Sequence, residues 1–358
     1  MARILFCCIN GNGLGHVTRI LALARQVRKL APDSEILVLT TSEFTHVLAK
    51  ENIASVKIPS PEIHLKDKRL PIAYLTQAIS SQVVALFRPE LAVIDSTPTG
   101  LIGEYLSFLN IIPKKAFIFG MFPNFISDPR YKFALRFYDQ IFMPFEEDQR
   151  ASVNIDFGAR AHWVGHFLVR TREEIFDRSV VRKRMGIGPN ERVVYVGLGG
   201  GGNPQNDKLL KWVLDILSNI PDLKIACPLQ PLGTDHSVIF EYENCIPITH
   251  YPMIEYYSAF DFSVLSAGKN NIAEATHSGL PALWVPMGHP STDQNFNAKL
   301  FADRGFGKII KPFDNDDLKK GVDQLMNDEV QDQMRKCMLA WGGGKGAENT
   351  ARILLNSI

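Results

Sequence analysis

The pattern that most restricts the fold occurs twice in this 358-residue chain: a short apolar run, a glycine-rich turn and then a longer helical segment. The first copy comprises the run at 3–9 and the turn at 11–16, and the second comprises the run at 192–196 and the glycines of 197–202. Short β-branched runs that alternate with helical segments are typical of a parallel sheet wrapped by helices. We therefore predict an α/β protein with two Rossmann-like, doubly wound domains.

The remaining apolar runs support the same division. They predict strands at 35–39, 91–94 and 115–119 in the first half and at 223–226, 262–265 and 282–285 in the second. A chain of this length usually forms two domains of ordinary size. We place the first domain at 1–165 and the second at 166–340, and we interpret the basic stretch 170–184 at the join as a solvated helix face.

Charge and cysteine usage exclude several classes of function. Lys and Arg together number 39 and Asp and Glu number 38, so no net charge attracts nucleic acid. The five cysteines show no zinc-type spacing, and His162 and His166 lie in a strand-like segment that does not put them on one helix face. We predict reduced core thiols, no metal ion, and a cytoplasmic protein whose first apolar run is a strand rather than a signal peptide or membrane span.

The most informative segment for function is 261–274. It predicts a buried strand, a tight turn of Ser, Gly and Asn residues, and then the start of a helix. Backbone N–H groups and the positive end of the helix dipole face whatever docks at such a turn, which makes it an anion site. A diphosphate suits this site, and the carboxylate of Glu274 is placed to bind ribose hydroxyls beyond it. The expected substrate is therefore linked to a nucleotide.

This segment resembles the donor-binding segment of the two-domain (GT-B) nucleotide-sugar glycosyltransferases, and most closely that of the lipid-II-forming N-acetylglucosaminyltransferases and their family 28 relatives. The resemblance rests on the spacing Ser-x-Gly-x-Asn-Asn-x-x-Glu at 266–274, on Gly-Leu-Pro at 279–281, and on the residue pairs at 293–294 and 297–298. It extends over most of the chain and is strongest at 251–308.

The resemblance implies a set of donor contacts. The turn carries the diphosphate, a glutamate binds the ribose, an acid–amide pair binds the sugar hydroxyls, and a position after a strand holds the nucleobase. In that order, the residues at these positions are Ser266, Gly268, Asn270 and Asn271; Glu274; Asp293 and Gln294; and Met253. The resemblance also implies a UDP-sugar donor, no cofactor, inversion at the anomeric carbon, two domains that face a cleft, and a C-terminal helix at 341–358 that crosses back to the first domain.

The second glycine-rich turn extends the predicted donor site. Its backbone N–H groups can approach phosphate or sugar oxygens closely, so we include Gly199 and Gly200. A tight strand-to-helix turn remains the alternative explanation for these glycines, and core packing remains the alternative for Met253.

The first glycine-rich turn does not fit dinucleotide binding, because His16 stands where the third glycine would be. Gly13 and Gly15 instead let the backbone approach an acceptor and aim His16 into the cleft, where an imidazole can take a proton from an acceptor hydroxyl. Asp95 follows a strand and either orients His16 or is itself the base. The structural alternatives are a histidine that caps its helix and an Asx turn at Asp95.

The sequence does not define the acceptor. The basic helix at 17–30, with Arg19 and Arg25, and the aromatic and basic segment 131–138 suit a lipid headgroup surface. The His-Gln-Asn signature expected on the acceptor side of the lipid-II-forming enzymes is missing, and 117–124 occupies that region. We therefore expect a different acceptor, either a small molecule or a lipid-linked one, and we leave membrane-surface contact and oligomeric state open.

Two other functions fit the same architecture: a nucleotide-sugar epimerase and a non-catalytic subunit that binds a nucleotide sugar. An epimerase needs further acid and base residues around the donor sugar, and the sequence offers no such cluster beyond Asp293 and Glu274. A pure binding subunit is hard to reconcile with two half-sites on one chain. We predict the glycosyltransferase.

Overall fold

The structure is a computed structural model that describes residues 2–10, 13–64, 71–95, 97–120, 129–150, 157–201, 204–230, 236–289 and 292–358. It divides into two compact units, Met1–Val169 with Gly343–Ile358 and Arg170–Gly342. The chain leaves the first unit after Val169, slightly later than the boundary predicted from the sequence.

Parallel strands form the sheet of the first unit: β1 (Arg3–Cys8), β2 (Glu35–Thr40), β3 (Ala54–Lys57), β4 (Leu91–Asp95), β5 (Lys114–Ile118), β6 (Gln140–Met143) and β7 (Ala161–Trp163). Their order across the sheet is β3-β2-β1-β4-β5-β6-β7. The central strands β1 and β4 are buried almost throughout, which explains why the sequence shows continuous apolar runs there instead of alternation. The strands predicted in this half are all present.

Helices connect these strands: α1 (Gly15–Leu30), α2 (His46–Lys50), α3 (Pro61–His64), α4 (Ile72–Phe87), α5 (Leu106–Leu109) and α6 (Pro129–Ala134), with 3₁₀ helices at Leu135–Phe137, Glu147–Gln149 and Gly158–Arg160. Helix α1 positions part of the candidate site. It buries apolar side chains at helical spacing between Val17 and Val27. Arg28 and Lys29 in its last turn complement the negative end of the helix dipole.

The second unit repeats the same arrangement with β8 (Arg192–Gly197), β9 (Leu223–Pro228), β10 (Cys245–Ile248), β11 (Phe262–Ser266), β12 (Ala282–Val285) and β15 (Lys308–Ile309); β13 (Gly288–His289) and β14 (Thr292–Asp293) form a separate antiparallel hairpin. The order of the main sheet is β10-β9-β8-β11-β12-β15. Both sheets therefore place their first strand beside the fourth, which is the Rossmann order. This confirms the predicted fold class.

The helices of the second unit are α7 (Arg178–Met185), α8 (Pro204–Leu217), α9 (Ser237–Phe240), α10 (Lys269–Ser278), α11 (Gln294–Ala302), α12 (Asn315–Leu325) and α13 (Asp328–Leu339), with 3₁₀ helices at Arg172–Glu174 and Met253–Ala259. The core of this unit lies between the sheet and its helices. Val264 of β11, Leu214 of α8 and Val322 of α12 are fully buried members of one apolar cluster.

The basic stretch that begins the second unit is a solvated helix face only in part: Lys183 and Arg184 are exposed, but two other arginines are bound within the protein. Arg182 is 3% exposed, donates to the Ala259 carbonyl at 2.9 Å and pairs with Asp261 at 3.2 Å. Arg178 binds the other oxygen of Asp261 at 2.6 Å. Arginine can donate several hydrogen bonds in fixed directions, so these side chains tie the entry segment to the loop before β11.

The cysteines depart in part from the prediction of core thiols. Cys7, Cys8 and Cys227 are buried, Cys245 is half-buried and Cys337 is exposed. None of the helices in the described parts of the chain is both long enough and apolar enough to span a bilayer.

The last helix, α14 (Gly346–Leu355), belongs to the first unit and packs against α1. Its start is tied to the segment after β7, because His166 N donates to Gly343 O and Gly346 N donates to His166 O, each at 2.8 Å. A Cβ atom added at Gly346 would lie 2.2 Å from Gly165 O. Glycine is therefore required for this approach of backbone to backbone.

We predict that Gly346→Ala lowers the free energy of unfolding by about 1–3 kcal/mol, because the added methyl group meets rigid backbone and not a movable side chain. Thermal and denaturant unfolding would measure the change. Gly342→Ala is the matched control, since an added Cβ there meets nothing within 4 Å. Equal stabilities of the two variants would contradict the packing argument.

Candidate active site

The first half of the candidate site lies where β1 and β4 end. Cys8 and Asp95 are the last residues of these strands and face each other in the sheet. Ligands of open α/β sheets bind outside the carboxyl ends of the strands. Just after β1, the Asn10 side-chain oxygen accepts a hydrogen bond from Val17 N at 2.9 Å and so fixes the start of α1 at this edge.

The structure brings His16 and Asp95 together. His16 lies in the first turn of α1, after Gly13, whose φ of 103° is a conformation that glycine adopts readily. His16 Nδ1 lies 3.0 Å from Asp95 Oδ2. The Asp95 side chain is fully buried, whereas the His16 side chain is 32% exposed. One edge of the imidazole is therefore held by the protein while part of the ring is open to solvent.

Arg19 completes this cluster, and the sequence analysis did not assign it there. It is 5% exposed, and its Nη2 lies 3.0 Å from Asp95 Oδ1 and 2.8 Å from His16 Nδ1. Burial raises the pKa of Asp95, but the charges of Arg19 and His16 outweigh burial, so the pKa lies below its usual range. The signal was present in the sequence, because residues three apart share a helix face.

Three arginines of α1, which the sequence analysis considered for contact with a lipid headgroup surface, bind groups within the protein. Arg19 is bound in the interior, Arg25 forms an ion pair with Glu51, and Arg28 donates to the carbonyl oxygens of Glu51 and Asn52 at 2.6 and 2.8 Å. These arginines hold α1 to the loop after α2, so their hydrogen-bonding capacity is largely used within the protein. Tyr138 in the aromatic segment is also buried and donates to the Pro98 carbonyl.

The second half of the candidate site is the turn between β11 and α10. Ser266 ends the strand, and Gly268 precedes the helix in an extended conformation without a side-chain cap. The first N–H groups of α10 thus face the turn, as an anion site requires. Asn271 stabilises the turn: its amide donates to Ser266 Oγ at 2.9 Å and to the Gly197 carbonyl at 3.3 Å. Asn270 is the second helical residue.

Glu274 is a buried carboxylate without a hydrogen bond to any described residue of the chain. It lies in α10, is 8% exposed, and has Arg170 as its attractive charge. Burial raises its pKa from 4.5 to about 8, and Arg170 offsets only part of that rise. A buried polar group usually has a partner within the protein, so this carboxylate is available for a ligand.

The hairpin β13–β14 delivers Asp293 and Gln294. Asp293 Oδ1 caps α11 by accepting a hydrogen bond from Phe296 N at 3.0 Å. Gln294 is 9% exposed, and its Oε1 accepts from Met287 N at 2.9 Å. Each side chain thus uses one oxygen for local structure.

The glycine turn after β8 lies next to the turn of β11 through the Asn271 contact. Gly199 has a φ of 106°, and Gly200 follows it before α8 begins. Met253 is 9% exposed, which is consistent with the alternative that it packs in the core.

Several residues named in the sequence analysis or in the motifs behind it lie outside the described residues, namely Gly11, Ser96, Gly202 and 121–124.

A cluster after β10 was missed by the sequence analysis. Glu255 accepts hydrogen bonds from His250 Nε2 at 2.7 Å and from Arg170, and the ring of Tyr256 stacks on His250 with centroids 3.9 Å apart. This arrangement fixes Arg170, which is also the attractive charge for Glu274. No periodic spacing in the sequence connects these residues, so no pattern could have identified the cluster.

The sequence analysis predicted that the protein binds no metal ion. Within the described ranges, no group of three or more His, Cys, Asp or Glu side chains is placed to hold one. His162 stacks on Phe142 with centroids 5.3 Å apart, and His166 is 4% exposed, so both contribute to packing.

We predict that Glu274→Gln stabilises the protein at pH 9, by roughly 1–3 kcal/mol, and has little effect at pH 5. With a folded pKa near 8 against 4.5, the contribution of this carboxyl to stability is fully present below pH 4.5 and is lost as the pH rises through 8. Glutamine carries no charge and avoids that loss. Denaturant unfolding at both pH values would measure the effect, with the surface variant Glu348→Gln as the control. A gain of equal size at both pH values would contradict it.

Comparison with known proteins shows similarity to glycosyltransferases. Residues 229–349 match the family model described as the glycosyltransferase family 28 C-terminal domain. The chain is 21% identical to a Bacillus cereus protein named UDP-N-acetylglucosamine–N-acetylmuramyl-(pentapeptide) pyrophosphoryl-undecaprenol N-acetylglucosamine transferase 1, and the match covers 98% of each chain.

Solved structures show the same fold over the whole chain. MurG of Acinetobacter baumannii is similar with a TM-score of 0.63 and 17% identity, over 99% of this chain and 100% of that one. A putative UDP-N-acetylglucosamine 2-epimerase from Listeria monocytogenes is similar with a TM-score of 0.68 and 13% identity, over 99% of this chain and 94% of that one. At these identities the structures bear on the fold alone.

The residues that match the family model include the second half of the candidate site. It spans the turn after β11, Glu274 and the hairpin with Asp293 and Gln294. The two parallel sheets and the full-length structural similarity give the fold as GT-B. The chain therefore has the GT-B fold, and its residues 229–349 match the glycosyltransferase family 28 C-terminal domain.

Proposed function

We propose that this protein transfers a sugar from a nucleotide diphosphate sugar, with UDP as the expected nucleotide, to an acceptor hydroxyl, with inversion at the anomeric carbon. The observation that carries the proposal is the buried, unpartnered carboxylate of Glu274, which lies in the helix that begins at the anion turn. Two ribose hydroxyls would give this carboxylate the hydrogen bonds that the described residues do not provide.

The donor diphosphate would bind at the start of α10. The first N–H groups of that helix and the backbone at Gly199 and Gly200 would meet the negative charge that develops on the leaving group. Asp293 and Gln294 would bind hydroxyls of the sugar. In this proposal, helix and backbone donors stabilise the leaving group without a metal ion.

The acceptor hydroxyl would be deprotonated by His16. With Nδ1 held by Asp95 at 3.0 Å, the imidazole can present its Nε2 to the hydroxyl as it attacks the anomeric carbon. A single displacement of this kind inverts the anomeric centre. Asp95 is fully buried and bonded to Arg19 and His16, which favours it as the group that orients His16 over a role as the base itself.

We predict that donor binding and turnover separate between two variants. At pH 9, where the carboxyl is charged, Glu274→Gln should weaken binding of UDP by about 1.5–3 kcal/mol, because a charged acceptor of hydrogen bonds is lost. His16→Ala should bind UDP like the wild type and release UDP from a UDP-sugar roughly 10²–10⁴-fold more slowly, with water or an added alcohol as acceptor. Calorimetry and UDP-release assays over a panel of UDP-sugars would measure both.

Glu348→Gln, on the surface of α14, is the control for both measurements. Loss of both properties in one variant that remains folded would contradict the assigned roles. An epimerase would convert the UDP-sugar to its isomer without releasing UDP, and a binding subunit would bind it without turnover, so either outcome would refute the transferase.

The acceptor is proposed to be lipid-linked, on the evidence of α4. This helix contains no charged residue and exposes Tyr74 and Leu86, at 78% and 79%; its buried residues are Ile72, Thr76, Ser80 and Val84. An exposed apolar helix face of this kind suits the interface of a membrane. The proposed location is accordingly the cytoplasmic face of a membrane, where the protein would bind peripherally.

We predict that Leu86→Glu reduces cosedimentation with vesicles of anionic phospholipid, because it places a charge on the apolar face of α4. Phe240→Glu is the matched control, since Phe240 is 65% exposed but lies in the second unit. Equal sedimentation of the two variants and the wild type would exclude α4 as the contact surface.

A further inference from the structure

The cluster of His16, Arg19 and Asp95 has a charge balance that the catalytic role of His16 alone does not explain. The carboxylate of Asp95 contributes one negative charge and the guanidinium of Arg19 one positive charge, and both side chains are buried. The cluster is thus neutral when the His16 ring is neutral. A protonated ring would leave a net positive charge in a partly buried site, which burial disfavours.

The contact between Arg19 and His16 also favours the neutral form of the ring. Arg19 Nη2 lies 2.8 Å from His16 Nδ1, and Asp95 Oδ2 lies 3.0 Å from the same atom. Each neutral form of the ring finds a partner here: Nδ1–H can donate to Asp95, and bare Nδ1 can accept from Arg19. The imidazolium would instead bring its own positive charge against the guanidinium.

Two further titratable groups among the described residues, Cys8 and Tyr131, interact with Asp95, and both are neutral near pH 7. On β1, burial raises the pKa of Cys8 to about 12, and its thiol lies 3.3 Å from the Thr40 hydroxyl on β2. On α6, burial raises the pKa of Tyr131 above its ordinary value. Arg19, whose guanidinium keeps its charge throughout the physiological pH range, is accordingly a cation that balances Asp95.

We propose that Arg19 is a positioning residue whose charge balances Asp95, so that Asp95 can orient the His16 ring while the ring stays neutral and able to accept a proton. A histidine beside a buried carboxylate with no third charge would favour the ion pair, in which the ring already carries the proton that a base must take. The catalytic meaning of this inference rests on the proposed role of His16, but the charge balance can be measured without substrate.

The direct test is imidazole NMR of protein labelled with ¹⁵N-histidine, titrated with pH. His16→Gln identifies the His16 signals among the nine histidines. In Arg19→Met we expect the ring to take up its proton at a pH higher by about one unit or more than in the wild type, because one nearby positive charge is lost. Arg19→Lys keeps the charge and should titrate like the wild type.

If Arg19→Met does not fold, a variant that removes both buried charges provides a second test. Arg19→Met/Asp95→Asn removes both buried charges, and we expect its His16 to titrate near the wild-type pH. If the Arg19 charge had no influence, loss of Asp95 would dominate and the double variant would titrate at clearly lower pH, which would overturn the proposal. Arg25→Met removes a cation of the same helix that pairs with Glu51, and it should change nothing.

The pH–rate profile then separates this inference from the proposed function. If both hold, the acidic limb of UDP release moves to higher pH in Arg19→Met, and the neutral wild-type ring carries its proton on Nδ1. A wild-type ring protonated on Nε2 would refute His16 as the base yet leave the charge balance standing. An unchanged His16 titration in folded Arg19→Met would overturn the role of Arg19, whatever the activity of His16→Ala.

Discussion

Burial of parallel strands on both faces confines polar chemistry to the strand ends, and the candidate site follows from this constraint. Asp95 ends β4 beside Cys8 of β1. Ser266 ends β11, two residues before Gly268, the N-cap of the following helix. Because the interior positions of these strands are mostly apolar, a charged or hydroxyl side chain at the last position lies at the edge where the turns are. The glycine-rich turns at the same edges let backbone N–H groups approach a ligand.

Two buried carboxylates show how the surrounding charges decide what such a group can do. Asp95 has Arg19 on both oxygens and His16 on one, so its pKa falls in spite of burial and it remains a fixed negative charge. Glu274 has only Arg170 as an attractive charge and no hydrogen bond within the described residues, so burial raises its pKa to about 8. The first carboxylate is completed by the protein, and the second is left for a ligand to complete.

The sequence predicted what depends on periodicity and on chain order. Strands such as 91–94 and 282–285, the two doubly wound sheets, and the meeting of His16 with Asp95 follow from apolar runs and from the rule that ligands bind at strand ends. The sequence did not predict the positions of long basic side chains, which can point either to solvent or to the interior. Arg19 and Arg182 belong to helices with several basic residues, and composition alone could not show that these two turn inward to Asp95 and Asp261.

The charge partners of each half-site lie within its own unit. Asp95 is balanced by Arg19 of the first unit, and Arg170, held by Glu255, acts on Glu274 in the second. Short-range partners dominate the energy of a buried charge, so the arginine of the same unit has the largest favourable effect on each carboxylate. Each unit thus sets the protonation of its own buried carboxyl: the ion pair with Arg19 keeps Asp95 charged, whereas burial outweighs Arg170 at Glu274 and favours the neutral form.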